Sequence, residues 1–321
     1  MKRVLSLFLL LFLIISMKSN GQLLMQLKEE SVSIEIKTGK LHGKLLLPSR
    51  VTECPVALII SGSGPTDMDG NSAIGQMKNN SLKYLAEGLA NQQIASLRFD
   101  KRGIASSRFA GMKEQDLRFE DYVNDVKSWI DYLVSVRKFK NVYVIGHSEG
   151  SLIGMLACQG NPKVKAFISV AGAGRPMDQI IEEQVASQPE SVRKEVALIN
   201  AALRKGETVP NVSVMMQSLF RSSVQPYLIS CYKYDPKKVI ATLRIPILLI
   251  QGTTDIQISV RDAELLKQGQ PKAELQIIEN MNHVMKDCPS KEPQKQQVTY
   301  INPSLPLNKK LLNVIGIFIK R

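Results

Sequence analysis

The chain has 321 residues, 44% hydrophobic and 22% charged, with a formal charge of +13. That balance belongs to a globular chain and excludes a long disordered or fibrous protein. Its basic residues are dispersed and only 6% of residues are aromatic, so the charge reads as a solvated basic surface and no nucleic-acid partner is expected.

Residues 1–21 differ from the rest. Lys2 and Arg3 precede an apolar run from Val4 to Ile15, and small or polar residues follow at Ser16, Ser19, Asn20 and Gly21. A charged start, an apolar centre and a small-residue cleavage zone predict a signal peptide cut near Gly21–Gln22. The run is too short for a comfortable membrane span. No cysteine lies near the cut, so a lipid anchor is not indicated. The leader holds Lys2, Arg3 and Lys18 and no acids, which leaves +10 on the remainder. The expectation is an exported protein, periplasmic or extracellular, with no stable membrane span once the leader is removed.

Beyond the leader, Ser33–Lys37 alternates as a strand, and Leu41–Leu47 follows after Gly39–Lys40 to make a hairpin. Val56–Ile60 and Ile94–Phe99 are continuous apolar runs of the kind buried on both sheet faces. A helix is predicted around Leu82–Leu89. Another covers 118–135, with Tyr122, Val126, Trp129, Ile130 and Leu133 on one face. Asn141–Ile145 and Val164–Val170 read as further strands, as do Pro246–Gly252 and Ala273–Ile278; the last element is an amphipathic helix over 307–319. Strands alternating with helices predict an α/β protein with a mostly parallel sheet covered on both faces. About 70 residues between Ala171 and Pro246 contain no convincing strand. Residues 176–205 and 212–232 look helical there. The segment reads as a helical lid, being too long for a plain loop. The expected organisation is thus a signal peptide (1–21), core (22–174), lid (175–242) and core again (243–321).

Between the strand at 141–145 and an apolar helical stretch from Ser151 lies Gly146-His147-Ser148-Glu149-Gly150. A serine on so sharp a strand-to-helix turn is pushed out of the sheet with its hydroxyl exposed, which makes Ser148 the candidate nucleophile. A hydroxyl needs a base. Of three histidines, His42 sits in the hairpin and His147 lies inside the turn, where packing is the better account. His283 follows the last strand, at the end where open α/β sheets carry their chemistry. The base needs an acid to fix its tautomer. Asp255 follows the preceding strand, with Glu279 as the alternative. The order Ser148, Asp255, His283 is nucleophile, acid, base. For the developing oxyanion, the expected backbone donors are Glu149 and Ser63, the latter within Ser61-Gly62-Ser63-Gly64-Pro65. No metal or organic cofactor is required. Cys54, Cys158, Cys231 and Cys288 are widely spaced, with no C-x-x-C, so they predict no metal site and assign no disulfide.

Together these features resemble the α/β-hydrolase superfamily, and the finer pattern resembles bacterial exported esterases near the serine aminopeptidase-like branch. Residues 61–71 resemble the oxyanion loop of those enzymes, with Met68 where arginine is expected. Arg98-Phe99-Asp100-Lys101-Arg102-Gly103 is similar to their strand-four motif, and 220–227 to part of their lid. The resemblance spans about residues 30–320 and implies hydrolysis of a small-molecule carboxylic ester through an acyl-enzyme. Two other functions stay open. A serine aminopeptidase of the proline-iminopeptidase type would need a lid acid such as Glu182 or Glu183 for the substrate amine. A non-catalytic ligand-binding member would not need all three triad residues. Asp67, Asp69, Asp100 and Arg102 read equally as a polar network around the site or as turn formers. Oligomeric state is not legible.

Overall fold

The computed structural model describes residues 27–49, 53–72, 76–108 and 112–321; the leader expected at 1–21 lies outside them. Two long strands, β1 (Lys28–Ile36) and β2 (Gly39–Leu47), form the expected hairpin, with Ile36 opposite Gly39 at its turn. β1 starts earlier than the alternation suggested, because Lys28 and Glu30 are paired edge residues and carry no apolar signal. β3 (Val56–Ile60), β4 (Ala95–Phe99), β5 (Val142–His147), β6 (Val164–Val170), β7 (Ile247–Gly252) and β8 (Glu274–Ile278) complete one eight-stranded sheet. Its order is β1-β2-β4-β3-β5-β6-β7-β8; the hairpin joins β4 antiparallel, and every later pairing is parallel.

Parallel strands buried on both faces need apolar residues on both sides of the pleat. Val56, Leu58 and Ile60 point to one face with Val142 and Val144, while Ala57 and Ile59 point to the other with Tyr143 and Ile145. Helices α1 (Ser81–Ala90) and α11 (Lys309–Lys320) cover the second face through Leu82, Leu85, Leu89, Leu311 and Ile315. Helices α2 (Phe119–Asp131) and α3 (Glu149–Cys158) cover the first; Trp129 on α2 is fully buried against Phe99. Each fully buried leucine or isoleucine in these layers contributes roughly 1.5–3 kcal/mol. α2 ends in a π-helical turn at Tyr132–Val136, which completes the helix predicted to run to 135.

Between β6 and β7 the chain is helical, as expected, with α4 (Met177–Gln184), α5 (Glu190–Arg204), α6 (Gln217–Phe220), α7 (Gln225–Cys231) and α8 (Pro236–Ala241). The continuous helix suggested over 176–205 divides in two. Pro189 stands immediately before α5, and proline disfavours helix in the residue ahead of it. Two helices escaped the reading, α9 (Val260–Gly269) and α10 (Pro293–Ile301). The first carried a start signal, since Ser259 and Asp262 form a capping box.

Candidate active site

Ser148 stands between the last residue of β5 and the first of α3, with φ 55° and ψ −123°. That backbone is strained for a residue with a side chain, and persists because its surroundings fix it. The Ser148 N–H donates to the Val170 carbonyl of β6 at 2.9 Å. Glycine is obligatory on either side. A Cβ on Gly146 would lie 2.3 Å from the Gly150 oxygen, and one on Gly150 would lie 2.5 Å from the Ile60 oxygen. The loop after β3 also closes on the serine, since a Cβ on Gly62 would stand 3.1 Å from the Ser148 Cβ.

Asp255 follows β7 and His283 follows β8, two strands that pair in parallel, so both loops emerge at one end of the sheet. His283 Nδ1 is 2.8 Å from Asp255 Oδ2, and both side chains are buried. Three further donors hold Asp255: Gln251 Nε2 reaches Oδ2 at 3.0 Å, and the N–H groups of Gln257 and Ile258 reach Oδ1 at 2.7 and 3.0 Å. Burial pushes the Asp255 pKa up. The charge and hydrogen bond of His283 and the two backbone donors outweigh it and leave the carboxyl below its usual range. Glu279, the alternative acid, is exposed, and the contact with His283 belongs to Asp255. Gln251 had a sequence signal, a lone polar residue ending the apolar run of β7.

His147 is packed, as expected, but it also supports His283. Its Nε2 donates to the His283 carbonyl at 2.8 Å, and the two rings lie 4.9 Å apart. That bond carries the His283 loop to the residue directly before Ser148. Burial first, then the neighbouring charge of His283, lowers the His147 pKa to about 4, so its ring is neutral near pH 7. His42 lies in β2 away from this cluster, with its backbone N–H on Ser107 Oγ at 3.0 Å.

Of the two expected oxyanion donors, Glu149 follows Ser148 in the chain, and Ser63 follows Gly62, which closes on the serine. Glu149 N–H opens α3, where first-turn N–H groups have no intrahelical acceptor. Ser63 is exposed beside buried Gly62. The acids around this loop divide between the two readings. Asp67 forms the turn, accepting N–H bonds from Asp69 and Asn71 at 2.9 and 2.8 Å. Asp69 pairs with buried Arg98 at 2.7 Å, Asp100 accepts the Met68 N–H at 2.7 Å, and Arg102 grips Asp125. Met68 is buried. Glu182 and Glu183 are both engaged: Glu182 by Arg204 at 2.6 Å and by Asn200 at 3.1 Å, Glu183 by Arg175. All four cysteines are free.

An eight-stranded, mostly parallel sheet with helices on both faces and a serine elbow after β5 is the architecture of an α/β-hydrolase. The profile of the serine aminopeptidase S33 family matches residues 77–237, half of the chain, and the protein belongs to that family. It is also 27% identical over 265 residues to the esterase EstD of Thermotoga maritima, covering 78% of this chain and 59% of that protein. Among solved structures, Est1E from Butyrivibrio proteoclasticus in complex with ferulic acid superposes with a TM-score of 0.59 at 16% identity, covering 90% of this chain and 96% of that one. The Pyrococcus furiosus esterase Pf2001 gives 0.54 at 15% identity, covering 92% of each chain. At these identities the structural likenesses establish the fold.

Proposed function

We propose that this protein hydrolyses carboxylic esters of small molecules, with Ser148 as nucleophile, His283 as base and Asp255 as its orienting acid. The observation that carries the reading is the buried His283–Asp255 pair beside a strained serine elbow. Asp255 accepts a hydrogen bond from Nδ1–H and so presents the unprotonated Nε2 to the serine hydroxyl. Ser148 Oγ attacks the ester carbonyl carbon while its proton passes to Nε2. The carbonyl oxygen takes the negative charge, held by the N–H groups of Ser63 and Glu149. Collapse expels the alcohol, which takes the proton from His283, and leaves an acyl-serine. Water, deprotonated by the same histidine, then attacks the acyl carbon; the bond to Ser148 Oγ breaks, His283 returns the proton to that oxygen, and the acid is released. In this reading residues 175–242 are a lid between two core segments, 22–174 and 243–321. Residues 1–21 direct the chain out of the cytoplasm.

The family's peptidase chemistry would use the same three residues, but it needs a free acid for the substrate amine. Glu182 and Glu183 are each committed to an arginine, which favours the ester. The esterases among its relatives point the same way. The test sets p-nitrophenyl esters of increasing acyl length beside aminoacyl-nitroanilides. The expected outcome is turnover of the esters, abolished in a folded Ser148→Ala variant and reduced about 10⁴-fold in Asp255→Asn. Undiminished turnover by Ser148→Ala would sink the mechanism; preference for the anilides would return the protein to the peptidases. No turnover, with no fluorophosphonate labelling of Ser148, would leave a binding protein.

A further inference from the structure

Lys101 is 1% exposed and takes no part in the proposed ester hydrolysis. It follows β4, yet its ammonium lies against the nucleophile's surroundings. Nζ donates to the Gly62 carbonyl at 2.6 Å and to Glu149 Oε2 at 3.3 Å, and it stands 5.0 Å from the centre of the Tyr122 ring. Glu149 is buried as well, and its other oxygen, Oε1, accepts from the Tyr227 hydroxyl on α7 at 2.8 Å. Burial first, and the charge of Glu149 second, raise the Tyr227 pKa, so that hydroxyl keeps its proton and donates. Two buried charges of opposite sign cost desolvation that their attraction and hydrogen bonds must offset. A salt bridge in this position is therefore weak as a stabiliser, and its geometry is the more informative property.

The geometry concerns one peptide unit. Every described peptide bond is trans, and in a trans unit the C=O and N–H point in opposite directions. An ammonium fixed on the Gly62 carbonyl therefore turns the Ser63 N–H away from Lys101. Gly62 lies directly against the Ser148 Cβ, so the orientation of this unit matters where the reaction occurs. The same ammonium holds the side chain of Glu149, whose own N–H is the other expected donor.

We propose that Lys101 is the positioning residue of the oxyanion hole: through Gly62 and Glu149 it sets both donor N–H groups, and Tyr227 couples that setting to the helical segment between β6 and β7. The inference rests on Ser148 being the nucleophile and on Ser63 and Glu149 being the donors. Lys101 touches no reacting atom and acts through the backbone it holds. Because an oxyanion hole favours the tetrahedral state over the bound ester, loss of Lys101 lowers kcat and leaves KM nearly unchanged.

The variants are Lys101→Met, which strands the Glu149 charge, and Lys101→Met/Glu149→Gln, which strands none and removes that cost to folding. Tyr227→Phe is the milder third, removing a single hydroxyl. Each is compared with the unaltered protein by thermal melt, by kcat and KM on p-nitrophenyl acetate, and by the Ki of butylboronic acid, which binds serine as a tetrahedral adduct. The folded double variant is expected to lose about 10- to 100-fold in kcat, with KM within about threefold and Ki weakened in step with kcat. Tyr227→Phe is expected to move kcat and Ki together by a smaller factor. Unaltered kcat and Ki in the folded double variant, or in Tyr227→Phe should the lysine variants unfold, would overturn the proposal. Ser148→Ala run alongside separates the two readings. If it is inactive while the double variant matches the unaltered protein, the Lys101 inference alone falls. If Ser148→Ala still turns over, the nucleophile assignment falls.

Discussion

His147 can take a second proton only at Nδ1, because Nε2 already donates to the His283 carbonyl. Burial and the charge of His283 bring its folded pKa to about 4, against about 6.5 for an unperturbed histidine. Below about pH 6.5 the unfolded chain binds a proton here that the folded chain does not. The stability this ring provides is therefore complete above that pH and is lost as pH falls toward 4, at about 1.4 kcal/mol per unit and about 3 kcal/mol in all. Urea unfolding at pH 7, 5.5 and 4 is expected to show that slope, and His147→Gln to flatten it. An unchanged slope in the variant would assign the effect to another group. Asp255 acts in a lower window. Its carboxyl is held below the usual range, so its contribution is present above about pH 4 and disappears as pH falls further.

Asp262 joins two elements that the sequence reading kept apart. It caps α9 by accepting from Ser259 Oγ at 2.8 Å. It also accepts the Gly174 N–H at 3.1 Å and both Nε and Nη2 of Arg175 at 2.9 and 2.8 Å. The chain leaving β6 for the helical segment is thereby pinned to the start of α9. Asp262 is fully buried and Arg175 partly buried, so removing the carboxylate leaves a guanidinium with only Glu183 as its acid partner. Asp262→Ala is expected to cost about 2–4 kcal/mol in urea unfolding and to speed proteolysis within 175–242 under native conditions. Equal proteolysis would mean that other contacts hold the segment, such as Arg221 on Glu114.

At the scale of the molecule, one sheet separates two apolar layers. α2 and α3 close the first, and α1 and α11 close the second. No helix among the described residues is long and apolar enough to cross a membrane. Cys54, Cys158, Cys231 and Cys288 each stand free, three of them buried. Under the proposed export, the chain would meet an oxidising compartment with three of its thiols shielded by the fold and Cys54 partly so. One intact-mass measurement on secreted protein, alkylated after denaturation without reductant, examines both points. A mass beginning at Gln22 with four alkylated thiols is expected. A retained leader would refute cleavage, and missing alkyl groups would reveal oxidation.

The strands, the elbow and the candidates Ser148, Asp255 and His283 were legible from residue patterns, because each rests on local chemistry. An apolar run buried on both faces reads the same wherever it lies in the sheet, and a Gly-x-Ser-x-Gly turn forces its own backbone. Each of the three residues also lies in the loop that follows a strand, so placing the strands placed them. Short helices such as α10 lacked the long periodicity that makes a helix legible. Tertiary structure alone decided the contacts that hold the site. Lys101 meets Glu149 across 48 residues, Arg175 meets Asp262 across 87, and His147 meets the His283 carbonyl across 136. It also chose Asp255 over Glu279 as the partner of His283. These pairings follow from strand order and from which loops emerge at the same end of the sheet, and local residue patterns carry no record of either.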